Sequence, residues 1–233
     1  MTELKLIDWQ PTNENVSIKQ FANFIASGRL DAEYYQPKYD ELFDNISKTD
    51  TKLLGRIVTI KKSIEPGSDA YQDSGVPFIR VSNLTKFGLS EPDIYLDKAT
   101  YYTEKLQPKK DTILLSKDGS VGIAYKLEKD LEAITSGAIL HLKVKDKEFL
   151  PDYLTLVLNS IVVKLQAERD ASGAIIQHWK PSEIEKVVVP KLPMAIQQSI
   201  AEKIQQSFAL KSECEQLLQR AKKMVENEIE KQN

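Results

Sequence analysis

From Ala195 to Lys231 apolar side chains return at every third or fourth position, with no glycine or proline among them. Ile196, Ile200, Ile204 and Phe208 begin the series, and Leu210, Cys214, Leu217, Leu218, Ala221, Met224 and Val225 continue it. This period sets them along one side of an α-helix, and strong helix formers fill the positions between. About 37 residues at ~1.5 Å each make a rod of ~55 Å. So long an apolar stripe needs a cover. Two are open: a helix from another chain, or the chain's own globular part, including segment 31–47.

Between residues 53 and 190 the pattern changes. Runs of β-branched or alternating apolar residues at 76–81, 112–116, 121–125 and 138–144 read as short strands, several of them separated by turn formers. Lys117-Asp118-Gly119-Ser120 lies between two of these runs and predicts a hairpin turn. Pro151 opens a helix through Tyr153, Leu154, Leu156, Val157 and Leu158, and a second helical run through Val162, Val163 and Leu165 ends before Ser172-Gly173. Val187, Val188 and Val189 predict a buried strand closed by Pro190 and Pro193. Ahead of all this, Gln10 to Asn15 is a polar lead-in, and Phe21, Phe24 and Ile25 form a cluster ended by Gly28. Asp31 is placed to cap a helix near Pro37 that buries Tyr39, Leu42, Phe43 and Ile46. The expected fold is α+β (mixed α/β). A lead-in with a helix covers 1–50, a globular part with short strands 51–192, and a long helix 193–233.

Composition narrows the function classes. With 41% hydrophobic and 28% charged residues among 233, the chain can bury a core, and wholesale disorder is excluded. No apolar run nears the ~18–20 residues of a membrane span, and the opening residues do not read as a signal peptide. The single cysteine, Cys214, excludes an internal disulfide framework, and with only His141 and His178 it leaves few soft ligands for zinc. A cytoplasmic protein is expected. The net charge of −2 divides into −4 over 1–50, +2 over 51–192 and zero over 193–233. A self-sufficient DNA-binding domain has a plainer basic excess. Nucleic-acid binding here would need a local patch, or charge contributed by a partner.

Catalytic signatures are missing. The sequence has no dinucleotide or phosphate-binding glycine loop, and Gly119-Ser120-Val121-Gly122 is short enough to be a turn. It has no Gly-x-Ser-x-Gly elbow, and Cys214 within the helix stripe reads as a small buried hydrophobe rather than a nucleophile. Pro92-Asp93 and Pro151-Asp152 are not followed by the Asp/Glu-x-Lys of a metal-dependent nuclease. The Asn-Pro-Pro-Tyr/Phe or Asp-Pro-Pro-Tyr tetrapeptide that docks a flipped base is also absent. No catalytic residue, metal or cofactor is expected on this chain.

Five runs are specific in combination. They are Arg29-Leu30-Asp31-Ala32-Glu33-Tyr34-Tyr35-Gln36-Pro37-Lys38-Tyr39; Gly75-Val76-Pro77-Phe78-Ile79-Arg80-Val81-Ser82-Asn83-Leu84; residues 111–122; Thr135-Ser136-Gly137-Ala138; and Gly173-Ala174-Ile175-Ile176-Gln177-His178 ahead of Val189-Pro190-Lys191-Leu192-Pro193 and Gln197-Gln198-Ser199-Ile200. In this order they resemble the DNA-specificity subunits of type I restriction-modification enzymes, over nearly the whole chain. The resemblance implies a non-catalytic, sequence-specific DNA-recognition subunit. Its partners would be double-stranded DNA and methyltransferase subunits, with a restriction/translocase subunit joining for restriction. S-adenosylmethionine, Mg and ATP would belong to those partner subunits only. Full subunits of the family carry two recognition domains and two spacer helices packed antiparallel, whereas this sequence has one of each. It reads either as a half-subunit that forms a homodimer through a coiled coil of its C-terminal helix, or as a fragment of a longer subunit.

Sequence-specific binders read base edges in the major groove and take affinity from phosphates. The candidate DNA contacts are Lys61, Lys62, Arg80, Asn83, Lys86, Lys109, Lys110, Lys117 at the hairpin tip, and Gln177, His178 and Lys180 around Trp179. Each has a plainer reading: a surface lysine is often merely solvated, a motif residue preserves the scaffold, and His178 is a core histidine bonded to backbone. Because targets differ among family members, segments 62–74, 85–105 and 166–180, between the shared motifs, are the better candidates for base reading. The dimerisation candidates are Ile196, Ile200, Ile204, Phe208, Cys214, Leu217, Leu218, Ala221, Met224 and Val225. Two other classes stay in view: an unrecognised nuclease or methyltransferase, and a scaffold that dimerises without reading DNA.

Overall fold

The computed structural model describes residues 17–171 and 177–231. After the helix α1 (Phe21–Ser27), a short 3-10 helix Ala32–Tyr35 leads into α2 (Pro37–Ile46). Pro37 occupies the first turn, where its missing N–H costs nothing. Asp31 does not cap this helix: it stands ahead of the 3-10 helix with its carboxylate held by Arg29 at 2.6 and 2.7 Å, and Gln36 takes the N-cap position of α2. Tyr39 and Ile46 are buried, and α2 lies against a helix from the far end of the globular part, α6 below.

The elements β1 (Thr51–Leu53), α3 (Leu54–Ile57) and β2 (Val58–Lys62) follow, then β3 (Val76–Ile79), β4 (Leu84–Thr85), β5 (Gly88–Leu89), β6 (Tyr95–Leu96) and α4 (Lys98–Tyr101). Next come β7 (Ile113–Ser116), β8 (Ala124–Lys126), β9 (Ile134–Thr135), β10 (Ile139–Val144), α5 (Pro151–Leu158), α6 (Ile161–Asp170), α7 (Pro181–Ile184), β11 (Val188–Pro190) and α8 (Met194–Glu230). The main sheet is antiparallel, in the order β2-β10-β7-β8. It is buried on both faces, and the two-residue period of a strand divides its side chains cleanly. Ile113 and Leu115 of β7, with Leu140 and Leu142 of β10, join α3, α5 and α6 in the largest core. Leu114 and Ile139 point to the other face, against Ile79 and Leu84. A second sheet, β6-β3-β9, carries the parallel pair β3–β9, and β1 pairs antiparallel with β11.

The expected strands are present but shorter. The first stops at Ile79 because Val81–Asn83 turn in a 3-10 helix. Another starts only at Ala124 because Gly122 still belongs to the hairpin, its N–H donating to the Ser116 carbonyl. Gly75 has φ 134, and a β-carbon there would lie 2.2 Å from the Leu96 carbonyl oxygen, so only glycine fits beside β6.

The helix α8 runs unbroken for 37 residues. Its first turns dock on α5 of its own globular part, with Gln197 and Ala201 buried. The Gln197 amide accepts from the Leu150 N–H (3.0 Å) and donates to the carbonyls of Glu148 (2.8 Å) and Leu192 (2.9 Å). Beyond Ala209 every described residue of the helix is exposed, Cys214 included. The single stripe expected from the sequence is therefore two. At 3.6 residues per turn, Ile200, Ala201, Ile204 and Phe208 centre about 135° away from the line of Leu210, Cys214, Leu217, Ala221 and Met224. Ile200, Ile204 and Phe208, expected on the seam with a partner, are instead half-buried towards their own chain, Phe208 edge-on to Tyr125. Cys214, expected to be buried, is exposed because it lies on the second line.

Candidate nucleic-acid interface

Three strands of the main sheet meet at one end, where β2 finishes, β10 begins and β7 passes into the hairpin loop. Lys62 is the last residue of β2 and pairs with Leu140. Lys117 leaves β7 with its N–H on the Ala138 carbonyl, 2.8 Å away. Its own carbonyl accepts from the Trp179 N–H at 2.8 Å, and the Gly119 N–H donates to the Gln177 carbonyl at 2.9 Å. The wholly buried Trp179 ring pins this segment to the core. A β-carbon on Gly137 would come 2.7 Å from the Glu65 carboxylate and 3.0 Å from the Lys62 side chain, so these segments are in close contact. Arg80 approaches from the second sheet, since the neighbouring Ile79 carbonyl accepts from the Ser136 N–H at 2.8 Å.

The cations gathered here are mostly neutralised in place. Asp118 pairs with Lys117 and receives His178 Nδ1 at 2.9 Å. Arg80 grips both oxygens of Asp93, at 3.0 and 2.8 Å, and this hydrogen bonding holds the Asp93 carboxyl below the usual carboxylate range. Lys180 lies 3.7 Å from Glu183. Lys62 makes no ion pair among the described residues. His141, one strand over, is buried with Nε2 2.7 Å from Thr135 Oγ1. Burial first, and then the charge of Lys61, push its pKa down to about 4, so at neutral pH it carries no charge.

Of the sequence candidates, Lys62, Arg80, Lys117, Gln177, His178 and Lys180 meet at this end of the sheet. Lys61 is one residue away, across β2 from His141. The rest do not join them. Lys109 and Lys110 precede β7 at its opposite end, where Lys109 sits 3.4 Å from Asp130 and the Lys110 N–H donates to the same carboxylate. Lys86 occupies the β4–β5 turn, over the Phe87 ring. Asn83 is corrected outright as a DNA contact. It is buried, its Oδ1 accepts from the Arg80 N–H, and its amide donates to Ser90 Oγ and the Glu91 carbonyl, so every polar atom is committed to the turn. Lys117 is at the base of the hairpin loop rather than its tip, with a largely covered side chain. His178 is exposed, which sets aside its reading as a core histidine. Gly173-Ala174-Ile175-Ile176 lies outside the described residues. Asp118, which ties the hairpin to His178, is legible in the sequence only as a turn former, because the contact spans 60 residues and leaves no local signal. Among the described residues no group of three His, Cys, Asp or Glu could hold a metal ion, and no helix is long and apolar enough to cross a membrane.

The profile of the type I restriction modification DNA specificity domain matches residues 47–222. No curated protein matches the chain. Among solved structures, a chain from a study of complex assembly and conformational transition of the type I R-M system aligns with TM-score 0.51 at 19% identity, over 74% of this chain and 43% of its own. The type IIG restriction endonuclease BpuSI aligns with TM-score 0.55 at 10% identity, over 80% of this chain and 30% of its own. The type I S subunit from M. genitalium aligns at 16% identity over 66% of this chain and 37% of its own, with TM-score 0.48. The chain thus spans less than half the length of each of these structures, and at such identities the likeness is one of fold. The profile match extends from the residue after α2 through the docked turns of α8 and well into its exposed half, so the chain belongs to the type I restriction modification DNA specificity domain family.

Proposed function

We propose that the chain is the DNA-reading, non-catalytic part of a type I restriction-modification enzyme, working in the cytoplasm. The carrying observation is the convergence of Lys62, Lys117, Gln177, His178 and Lys180 from separate segments at one end of the main sheet. Lysines there suit phosphates and guanine O6/N7, and Gln177 suits adenine N6/N7. Most of these cations already hold a carboxylate, so DNA must displace an ion pair to gain a phosphate. Binding by the chain alone is therefore weak, and methyltransferase subunits add the missing basic surface.

Two copies pair antiparallel through the exposed stripe of α8. The rod then holds two reading heads on one side of the pair, spaced to reach half-sites about one helical turn apart, ~34–36 Å. Two-fold protein symmetry imposes an interrupted palindrome on the target. The test is fluorescence anisotropy across a salt series, with and without the methyltransferase subunit, followed by footprinting. Specific protection of two symmetric half-sites, appearing with the partner present, supports the reading. Dimers that assemble with the partner but protect no sequence would show a scaffold instead. Nanomolar specific binding by the isolated chain would overturn the requirement for added charge.

A further inference from the structure

Beside the docked turns of α8 lies an apolar groove of ≈ 490 Å³. Its walls are α8 itself (Lys203, Ser207 and Phe208), α5 through Leu156, Tyr125 on β8, and Phe87 at the β4–β5 turn. Phe87 and Leu156 are 55% and 48% exposed, which is costly for large apolar side chains facing each other across a cleft. The floor is polar but closed. Lys126 lies 2.9 Å from Asp152 and 3.1 Å from Glu128, and although burial alone would lower its pKa, those hydrogen bonds outweigh it and keep the ammonium charged. Two rim lysines, Lys86 and Lys203, make no ion pair among the described residues.

We infer that this groove receives the tip of α8 from a second copy of the chain, so that the dimer is clamped at both ends as well as along its seam. The inference rests on the antiparallel pairing proposed above and adds the site in which the helix ends. Ser199, Lys203 and Ser207 continue the line of Leu210, Cys214, Leu217, Ala221 and Met224 along α8, so the exposed stripe runs directly into the groove. When two copies pair antiparallel about the centre of their apolar stretch, between Leu217 and Leu218, Val225 falls opposite Leu210 and Glu228 opposite Ser207. The last turn of one helix then lies over the mouth of the other copy's groove. Symmetry also fixes which side of that turn faces it. The dyad keeps both globular parts on the same side of the pair, so Val225 and Ile229, about 60° and 100° round from the seam on the domain side, turn into the groove. Charge agrees: residues 226–231 carry Glu226, Glu228 and Glu230 against the single cation Lys231, 3.5 Å from Glu228, and this net negative tip approaches Lys203 and Lys86.

The test measures the dimer dissociation constant of the full chain by analytical ultracentrifugation. Phe87→Ser with Leu156→Ser alters exposed side chains only and should weaken the dimer by at least about tenfold, with the monomer's thermal midpoint unchanged. Lys203→Glu should weaken it as well, and adding Glu228→Lys should recover most of the loss. A wild-type dimer left unaltered by both the groove variants and the charge reversal would overturn the groove while leaving the seam intact. A wild-type chain that stays monomeric at high concentration would overturn both.

Discussion

The two halves of α8 carry similar apolar periodicity and meet opposite fates. The first four turns bury Gln197 and Ala201 against α5, whereas from Leu210 onward the helix stands clear of its own chain. Periodicity reports that a face must be covered and says nothing about what covers it. The docked half is also the less apolar of the two at its most buried point, because a glutamine amide, not a hydrocarbon, closes the joint. A helix meant to lie wholly on its own domain would keep one face throughout. Here the face turns by about 135° after Phe208.

The strongest test of this contrast is Leu217→Glu with Leu218→Glu. Two carboxylates on the exposed half should abolish dimerisation, raising the dissociation constant by roughly a thousandfold or more at ~2 kcal/mol per buried charge. Sedimentation reads that change, while urea unfolding of the globular part should stay the same. Gln197→Ala is the mirror experiment. It strands the Leu150 N–H and two carbonyls in a buried joint, and should cost about 2–4 kcal/mol of domain stability. Equal effects of both variants on stability and on assembly would erase the distinction between the halves.

Where the pattern is local, the sequence is a good guide. The β7–β8 hairpin, the Pro151 helix and the unbroken C-terminal helix all follow from side-chain period and from the placement of glycine and proline. What escapes it depends on distant partners. Asn83 reads as a base-reading side chain, but its amide holds a turn together through Ser90 and Glu91. Lys117 reads as free, but Asp118 and the segment around Trp179 enclose it. Gln197 gives no signal, because a polar residue in a helix reads as solvated until the carbonyls around it are known. The same limit explains why Lys62 and Lys109, both exposed lysines in sequence, fall at opposite ends of the sheet.

A smaller effect separates the globular part from the exposed helix by pH. His141 is buried with a folded pKa of about 4, below the ~6.5 of the unfolded chain. The unfolded state therefore binds a proton first as pH falls. The stability from this site is complete above about pH 6.5 and is lost progressively towards pH 4, by up to ~3 kcal/mol. Urea midpoints of wild type and His141→Gln should converge over that window. The dimer seam has no histidine, so the dissociation constant should follow the same pH course in both proteins. A His141→Gln variant that keeps the wild-type pH dependence of unfolding would place the acid sensitivity elsewhere.

The smallest expected effect links the two regions through DNA. Each phosphate that a side chain no longer neutralises flattens the plot of log affinity against log salt by about 0.9. Lys62→Ala removes a cation that makes no ion pair among the described residues, so one head should lose about one unit of slope and roughly three- to tenfold in affinity. In the assembled dimer the loss should be about two units, since two heads engage. In the Leu217→Glu, Leu218→Glu background it should fall back to one. Lys109→Ala, at the far end of the sheet beside Asp130, should leave the slope unchanged in either background. A full two-unit loss in the monomeric background would mean that one head carries both contacts. The exposed half of α8 would then set no distance between half-sites, and its open stripe would need another explanation.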